Sequence, residues 1–329
     1  MLASVAVLAM LGSAAVLGET TVTFDEWSLP NGTAAFVPHD PALAPDGSVW
    51  YTAYGANTIG RLNPASGEIK EYSLSTADPG PHGLVADRDG NIWYTANKAG
   101  AIGRLDPKSG RITEYKMPDP AARDPHTPVF DQKGILWFTV QNGNFIGKLD
   151  PSIGSVALKP ALTPKAMPHG IVIDREGRPI YAMAGTNKIG VVDPKTLDTQ
   201  EFVLPEGARP RRLAVTSDGG VWYGDSARGF LARLDLRTKQ VQEFPSPGGP
   251  GSGPYSIAVT AGDIIWYTES SLDPNRLVRF DPKSQSMQTW PLPSTGSVVR
   301  HVVAAPDGTL WLALSGIGKI ARARSIAMP

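Results

Sequence analysis

The chain has 329 residues, with 31 Lys and Arg against 31 Asp and Glu, so it carries no net charge and no basic block that would recruit nucleic acid. It has no cysteine, which excludes disulfides and thiol chemistry. Its 35 Gly and 30 Pro, set among many Trp, Tyr and Val, fit short strands joined by tight turns rather than disorder.

Residues 1–19, within "MLASVAVLAMLGSAAVLGET", are apolar and end in small residues. They are too short for a convincing membrane span and read as a secretory signal peptide, cut near Gly18. No Lys or Arg precedes the apolar stretch, which leaves retention as an anchor open. The product is expected in a periplasm or outside the cell, as a monomer with no membrane contact once the leader is gone. No other segment is long and apolar enough to cross a bilayer.

Residues 21–30, "TVTFDEWSLP", read as a strand set apart from the rest of the chain. After it the sequence repeats. The aromatic of an "IWYT" element serves as a ruler at Trp50, Trp93, Trp137, Trp222, Trp266 and Trp311, and Ile180 fills the one missing slot. Successive spacings are 43, 44, 43, 42, 44 and 45 residues. Seven units of this length match the four-stranded blade of a β-propeller. Within the second unit, "GLVAD" is the first strand, Asp89-Gly90 the tight turn, "IWYTA" the second strand, "AIGRLDP" the third and "RITEYKMP" the fourth. The last unit ends after three strands, so residues 21–30 are expected to pair with residues 316–324 and close the ring. The fold class is therefore all-β: one seven-bladed propeller over residues 20–329, its last blade completed by the N-terminal strand.

Eleven residues before each ruler stand His39, His82, His126, His169, Arg211, Tyr255 and Arg300. Four of the five histidines thus share one column of the repeat, and His301 falls one residue out of it. Equivalent positions of a propeller form a ring, so these seven side chains are expected to face one mouth of the central channel. Proline precedes each of the four histidines and holds the entry to the innermost strand extended. Two readings stand for the column: a shared site, or a capping residue copied with the repeat. Imidazoles offer a proton donor and acceptor near neutral pH, or a metal ligand. Three residues after the ruler, Asp225 and Glu269 are the only acids. Glu269 is taken as a channel-wall residue, with a turn or salt-bridge role as the alternative.

Repeats of the form P-H-G…D-G-x-I-W-[YF]-T…I-G-R-L…I-x-E-Y-x-[LM]-P resemble the streptogramin B lyase (virginiamycin B lyase) family of seven-bladed propellers, over residue 21 to the end. The resemblance implies opening of a cyclic depsipeptide at its ester link by elimination, with Mg²⁺. It also implies two histidines from successive blades, the second within Glu-Pro-His, and a further Glu after the Trp-[YF] pair of that blade. His82 in Gly-Pro-His-Gly matches the first histidine, and Asp124-Pro125-His126 the second motif. The family's catalytic blades are the last in the chain. Here the last two carry Tyr255 and Arg300, so the match is rotated around the ring, and Val140 and Gln141 stand near the further Glu's place.

On this basis His82, His126 and Asp124 are the candidate catalytic residues. Asp124 would orient a histidine or help hold a cation. His39, His169, Arg211, Tyr255, Arg300 and Glu269 are candidate contacts to a small-molecule ligand. Two other functions compete with a lyase. Four imidazoles suit a transition metal, and the arginines suit an anionic ligand held without catalysis.

Overall fold

Each unit contains two strands buried on both faces and one that is half wet, which is what a stack of sheets around an axis requires. In the second unit the strands are Pro81–Ala86, Ile92–Ala96, Ala101–Leu105 and Ile112–Lys116. Ile92–Ala96 is buried at every residue, whereas every residue of the outermost strand Ile112–Lys116 is at least partly exposed. Gly90 takes φ +85° in the turn between the first two strands, a conformation open to glycine at no steric cost. The glycine of "IGRL" has a packing reason instead. Gly103 lies opposite Tyr94 in the ladder, and a β-carbon there would enter the tyrosine ring. Tyr51 with Gly60, Phe138 with Gly147 and Tyr181 with Gly190 repeat the arrangement.

The computed structural model describes residues 20–30, 32, 34 and 37–327; the leader expected at 1–19 lies outside the described residues. Seven four-stranded antiparallel sheets succeed one another around the ring. The ruler residues pack between neighbouring blades: Trp93 sits with Leu136, Phe138 and Leu149 of the next blade. The indole N–H of Trp93 donates to Asp87 at 2.9 Å, and that of Trp137 to Asp131 at 3.0 Å. Ile180 occupies the tryptophan slot opposite Val191, as Trp93 does opposite Arg104.

Thr20–Ser28 forms the outer strand of the seventh blade and pairs antiparallel with Lys319–Ala327, from Thr20 opposite Ala327 to Ser28 opposite Lys319. The closure is as expected, with the register set about three residues further toward the C-terminus. Trp27 packs against Trp311 with ring centroids 5.6 Å apart and planes tilted by 33°, and the Arg322 guanidinium caps both rings. Asp25 in turn accepts from Arg322 at 2.8 Å and from Arg324 at 3.1 Å.

The threonine of "WYT" ties blade to blade. Thr95 accepts from the Gly83 N–H of its own blade at 2.9 Å and donates to the His126 carbonyl of the next at 2.9 Å. Thr52 reaches the His82 carbonyl and Thr139 the His169 carbonyl, both at 2.6 Å. Each clamp holds the backbone of a column histidine. Among the described residues no helix is long and apolar enough to cross a membrane.

Candidate functional site

Six of the seven innermost strands slip register at their first turn, for example between Pro81 and Leu84, Pro125 and Pro128, and Pro168 and Ile171. A bulge re-aims the side chain it carries, and here that residue belongs to the column. His39, His82, His126, His169, Arg211, Tyr255 and Arg300 all line one cavity of about 280 Å³ at the axis, with Asp124 on its wall. The Pro-His-Gly glycine serves the same geometry. A β-carbon on Gly83 would strike the His126 carbonyl and lie 2.6 Å from Pro128 Cδ of the next blade.

The four imidazoles overlap in sequence around the ring. Ring centroids are 3.7 Å apart for His39 and His82, 4.0 Å for His82 and His126, and 4.2 Å for His126 and His169. Tyr255 meets His169 edge-on at 5.8 Å. Exposure is only 9% for His82 and 3% for His126, so these rings are packed walls rather than groups in open solvent. Burial holds His82, His126 and His169 well below the usual histidine range, and neighbouring imidazoles and arginines add to the effect. His39 is lowered less, because the Asp40 carboxylate opposes its burial. The ladder is therefore neutral near pH 7.

A second layer lies behind the first, and the ruler offset does not reach it. Asp40 accepts from Arg212 at 2.7 and 2.9 Å, and contacts His39 Nδ1 at 3.0 Å and His301 Nδ1 at 3.1 Å. Arg212 also donates to Thr127 Oγ1 at 3.2 Å, and that hydroxyl contacts His126 Nδ1 at 2.9 Å. A buried chain thus runs His39–Asp40–Arg212–Thr127–His126 from the first blade to the fifth and back to the third. Arg212 and His301 hold Asp40 well below the usual carboxylate range despite its burial. Its signal in the sequence is the column one position later: Asp40, Gly83, Thr127, Gly170, Arg212, Ser256 and His301. The histidine out of register belongs to this layer.

Hydrogen bonds also assign one tautomer. His169 Nδ1 donates to the Arg211 carbonyl at 3.1 Å, so Nε2 accepts from the Tyr255 hydroxyl at 3.1 Å. His82 Nδ1 is buried beside the His126 backbone without a well-formed hydrogen bond.

Two expectations change. Asp124 orients no histidine. Its carboxylate accepts from the Asn142 backbone and side chain and from Gly143 N–H at 3.2 Å, so it braces the 141–144 turn, and the partner of His126 is Thr127. Glu269 does not reach the cavity. It is fully buried in the sixth blade and accepts from Ser246 Oγ at 2.6 Å and Gly248 N–H at 2.5 Å, bracing the loop that enters that blade.

Magnesium asks for several oxygen ligands in near-octahedral array. Asp124, already engaged by Asn142 and Gly143, is the one carboxylate on the cavity wall among the described residues. No three His, Asp or Glu among the described residues are grouped to hold a metal. The residues present do not fit a protein-held magnesium.

Known proteins share this fold. The model of the virginiamycin B lyase family matches residues 14–192 and 174–327. No curated protein sequence matches the chain. A streptogramin B lyase structure is 27% identical, with 93% of this chain and 98% of that one covered and a TM-score of 0.84. Virginiamycin B lyase from Staphylococcus aureus is 26% identical over 93% of this chain and all of that one, TM-score 0.84. A catalytically inactive histidine-to-alanine variant of the same enzyme, solved with quinupristin, gives the same identity and coverage and a TM-score of 0.83.

Proposed function

The chain belongs to the virginiamycin B lyase family, and from that premise we propose that it is a carbon–oxygen lyase acting on a small molecule at the histidine-lined cavity. The observation that carries this reading is the convergence of four neutral imidazoles from four consecutive blades on one cavity. Neutral imidazole is the form that can accept a proton, and its conjugate acid then delivers one. His126 acts as general base on the proton next to a carbonyl, with Thr127 fixing Nδ1 so that Nε2 is presented. His82, its ring centroid 4.0 Å from that of His126, donates toward the developing oxyanion or the leaving oxygen. Elimination needs both: a proton leaves carbon, a C–O bond breaks, and a double bond forms between the two carbons. The leader expected in residues 1–19 would carry the activity out of the cytoplasm.

The test is a turnover assay on cyclic depsipeptides and on β-substituted carbonyl compounds, with and without Mg²⁺. His82→Ala and His126→Ala should each cost about 10²-fold or more in rate while leaving the circular dichroism unchanged. Absence of turnover across the panel, or retention of full activity by both variants, would refute the lyase reading. A ligand-binding propeller would then be the better account.

A further inference from the structure

Two arginines stand side by side on the innermost strand of the fifth blade, and only one of them is neutralised. Arg212 points into the second layer and meets Asp40 with two short contacts. Arg211 points into the cavity, where its guanidinium lies over the Tyr255 ring at 5.7 Å. Among the ion pairs of the described residues Arg211 has none, and its Nε is buried without an acceptor. Its charged neighbours make matters worse, since Arg209 and Arg300 repel it. A half-buried guanidinium held against a tyrosine ring, with no carboxylate of its own, is a ready partner for an anion.

The rest of the wall supplies no such anion. Asp124 belongs to the third blade and is tied into its turn. Asp40 lies behind the wall and is taken by Arg212, His39 and His301. Arg211 therefore brings one positive charge to the cavity with no carboxylate opposite it among the ion pairs of the described residues, and a single carboxylate pairs it. A volume of about 280 Å³ lies near the lower end for small-molecule pockets, room for a small molecule or for the carboxylate end of a larger one. The planar fork of a guanidinium matches a carboxylate with two parallel hydrogen bonds. Tyr255 contributes its ring face, because its hydroxyl is committed to His169.

We propose that Arg211 anchors the carboxylate of a small monoanionic ligand in the histidine-lined cavity, with the remainder of the ligand lying against the imidazole ladder. This rests on the cavity being the binding site and not on turnover there. It gives the proposed lyase a substrate class, small carboxylic acids, that its family resemblance does not supply.

The experiment is isothermal titration at low ionic strength with a panel of small monocarboxylates (aliphatic, 3-hydroxy and aromatic), their methyl esters, and inorganic phosphate. At least one acid should bind while its ester does not. Arg211→Gln should weaken that binding about 10- to 100-fold, the worth of a hydrogen bond to a charged group, with Arg211→Lys in between. Arg209→Gln should change little, and both Arg211 variants should keep the wild-type circular dichroism. The proposal is overturned if no acid in the panel binds, if acids and esters bind alike, if phosphate binds more tightly than every acid, or if Arg211→Gln binds as wild type. Binding without turnover would sink the lyase reading alone, and turnover of neutral esters with no affinity for acids would sink the carboxylate site alone.

Discussion

Replacing Asp40 by Ala tests whether the second layer holds the centre of the ring together. Asp40 and Arg212 are 1% and 3% exposed, and the carboxylate serves Arg212, His39 and His301 at once. Without it the Arg212 charge stays buried with only the Thr127 hydroxyl at 3.2 Å in reach. Removing one partner of a buried pair costs about 3–5 kcal/mol. An unfolding entropy of about 2.1 cal/mol/K per residue over roughly 300 residues is about 0.6 kcal/mol/K, so Tm should fall by about 5–8 °C. Asp46→Ala is the control, because Asp46 meets Arg61 at 2.8 Å on the surface and such a pair is worth about 0–1 kcal/mol. Scanning calorimetry and urea titration read the difference. Adding Arg212→Met to Asp40→Ala removes the orphaned charge and should return most of the loss. A loss from Asp40→Ala no larger than that from Asp46→Ala, or no recovery in the double variant, would show that the buried pair is not what stabilises the hub.

Deleting residues 20–28 removes the outer strand of the seventh blade, uncovers the edge of Lys319–Ala327 and takes Trp27 off Trp311. Tm should fall by more than in Asp40→Ala, and size-exclusion chromatography should show concentration-dependent association through the bare edge; an unchanged Tm would contradict the closure. Acid should also weaken the fold. All five histidines are held below their ordinary value of 6.5, chiefly by burial. Below about pH 6.5 the unfolded chain therefore binds protons that the folded one refuses. Stability is complete above that pH and is lost as pH falls toward the folded values, by up to about 1.4 kcal/mol per pH unit for each histidine. Urea midpoints at pH 7.5 and 5.5 check this, and equal or higher stability at 5.5 would count against buried neutral imidazoles.

The blades were legible because each is specified locally. Asp89-Gly90 makes its turn and Ile92–Ala96 its buried strand without help from distant residues, and the chain writes that solution seven times. The column was legible for the same reason: a fixed offset in a repeat is a fixed place on a ring. Partners across the axis were not, because Asp40 and Arg212 are 172 residues apart and nothing in either unit announces the other. Glu269 and Asp124 misled for a different reason. Both lie at blade ends, where an acid can point to the axis or accept from a loop, and that choice depends on side-chain reach rather than on register. Asp124 spends its oxygens on Asn142 and Gly143, and Glu269 on Ser246 and Gly248.

The pairing of Thr20–Ser28 with Lys319–Ala327 also sets a timetable for synthesis. The first six blades are built from neighbouring hairpins and can form in the order in which they are made. The first strand to be made is the last to find its partner, across a loop of nearly the whole chain. Closing a flexible loop of roughly 300 residues carries an entropy cost that grows as (3/2)RT ln n, about 5 kcal/mol, and the cost falls on this one step. Until residue 327 is available, a nine-residue strand has no partner in its own molecule. A second nascent chain offers the same partner, so crowded synthesis favours exchange of N-terminal strands between copies, and dilute synthesis favours the closed ring.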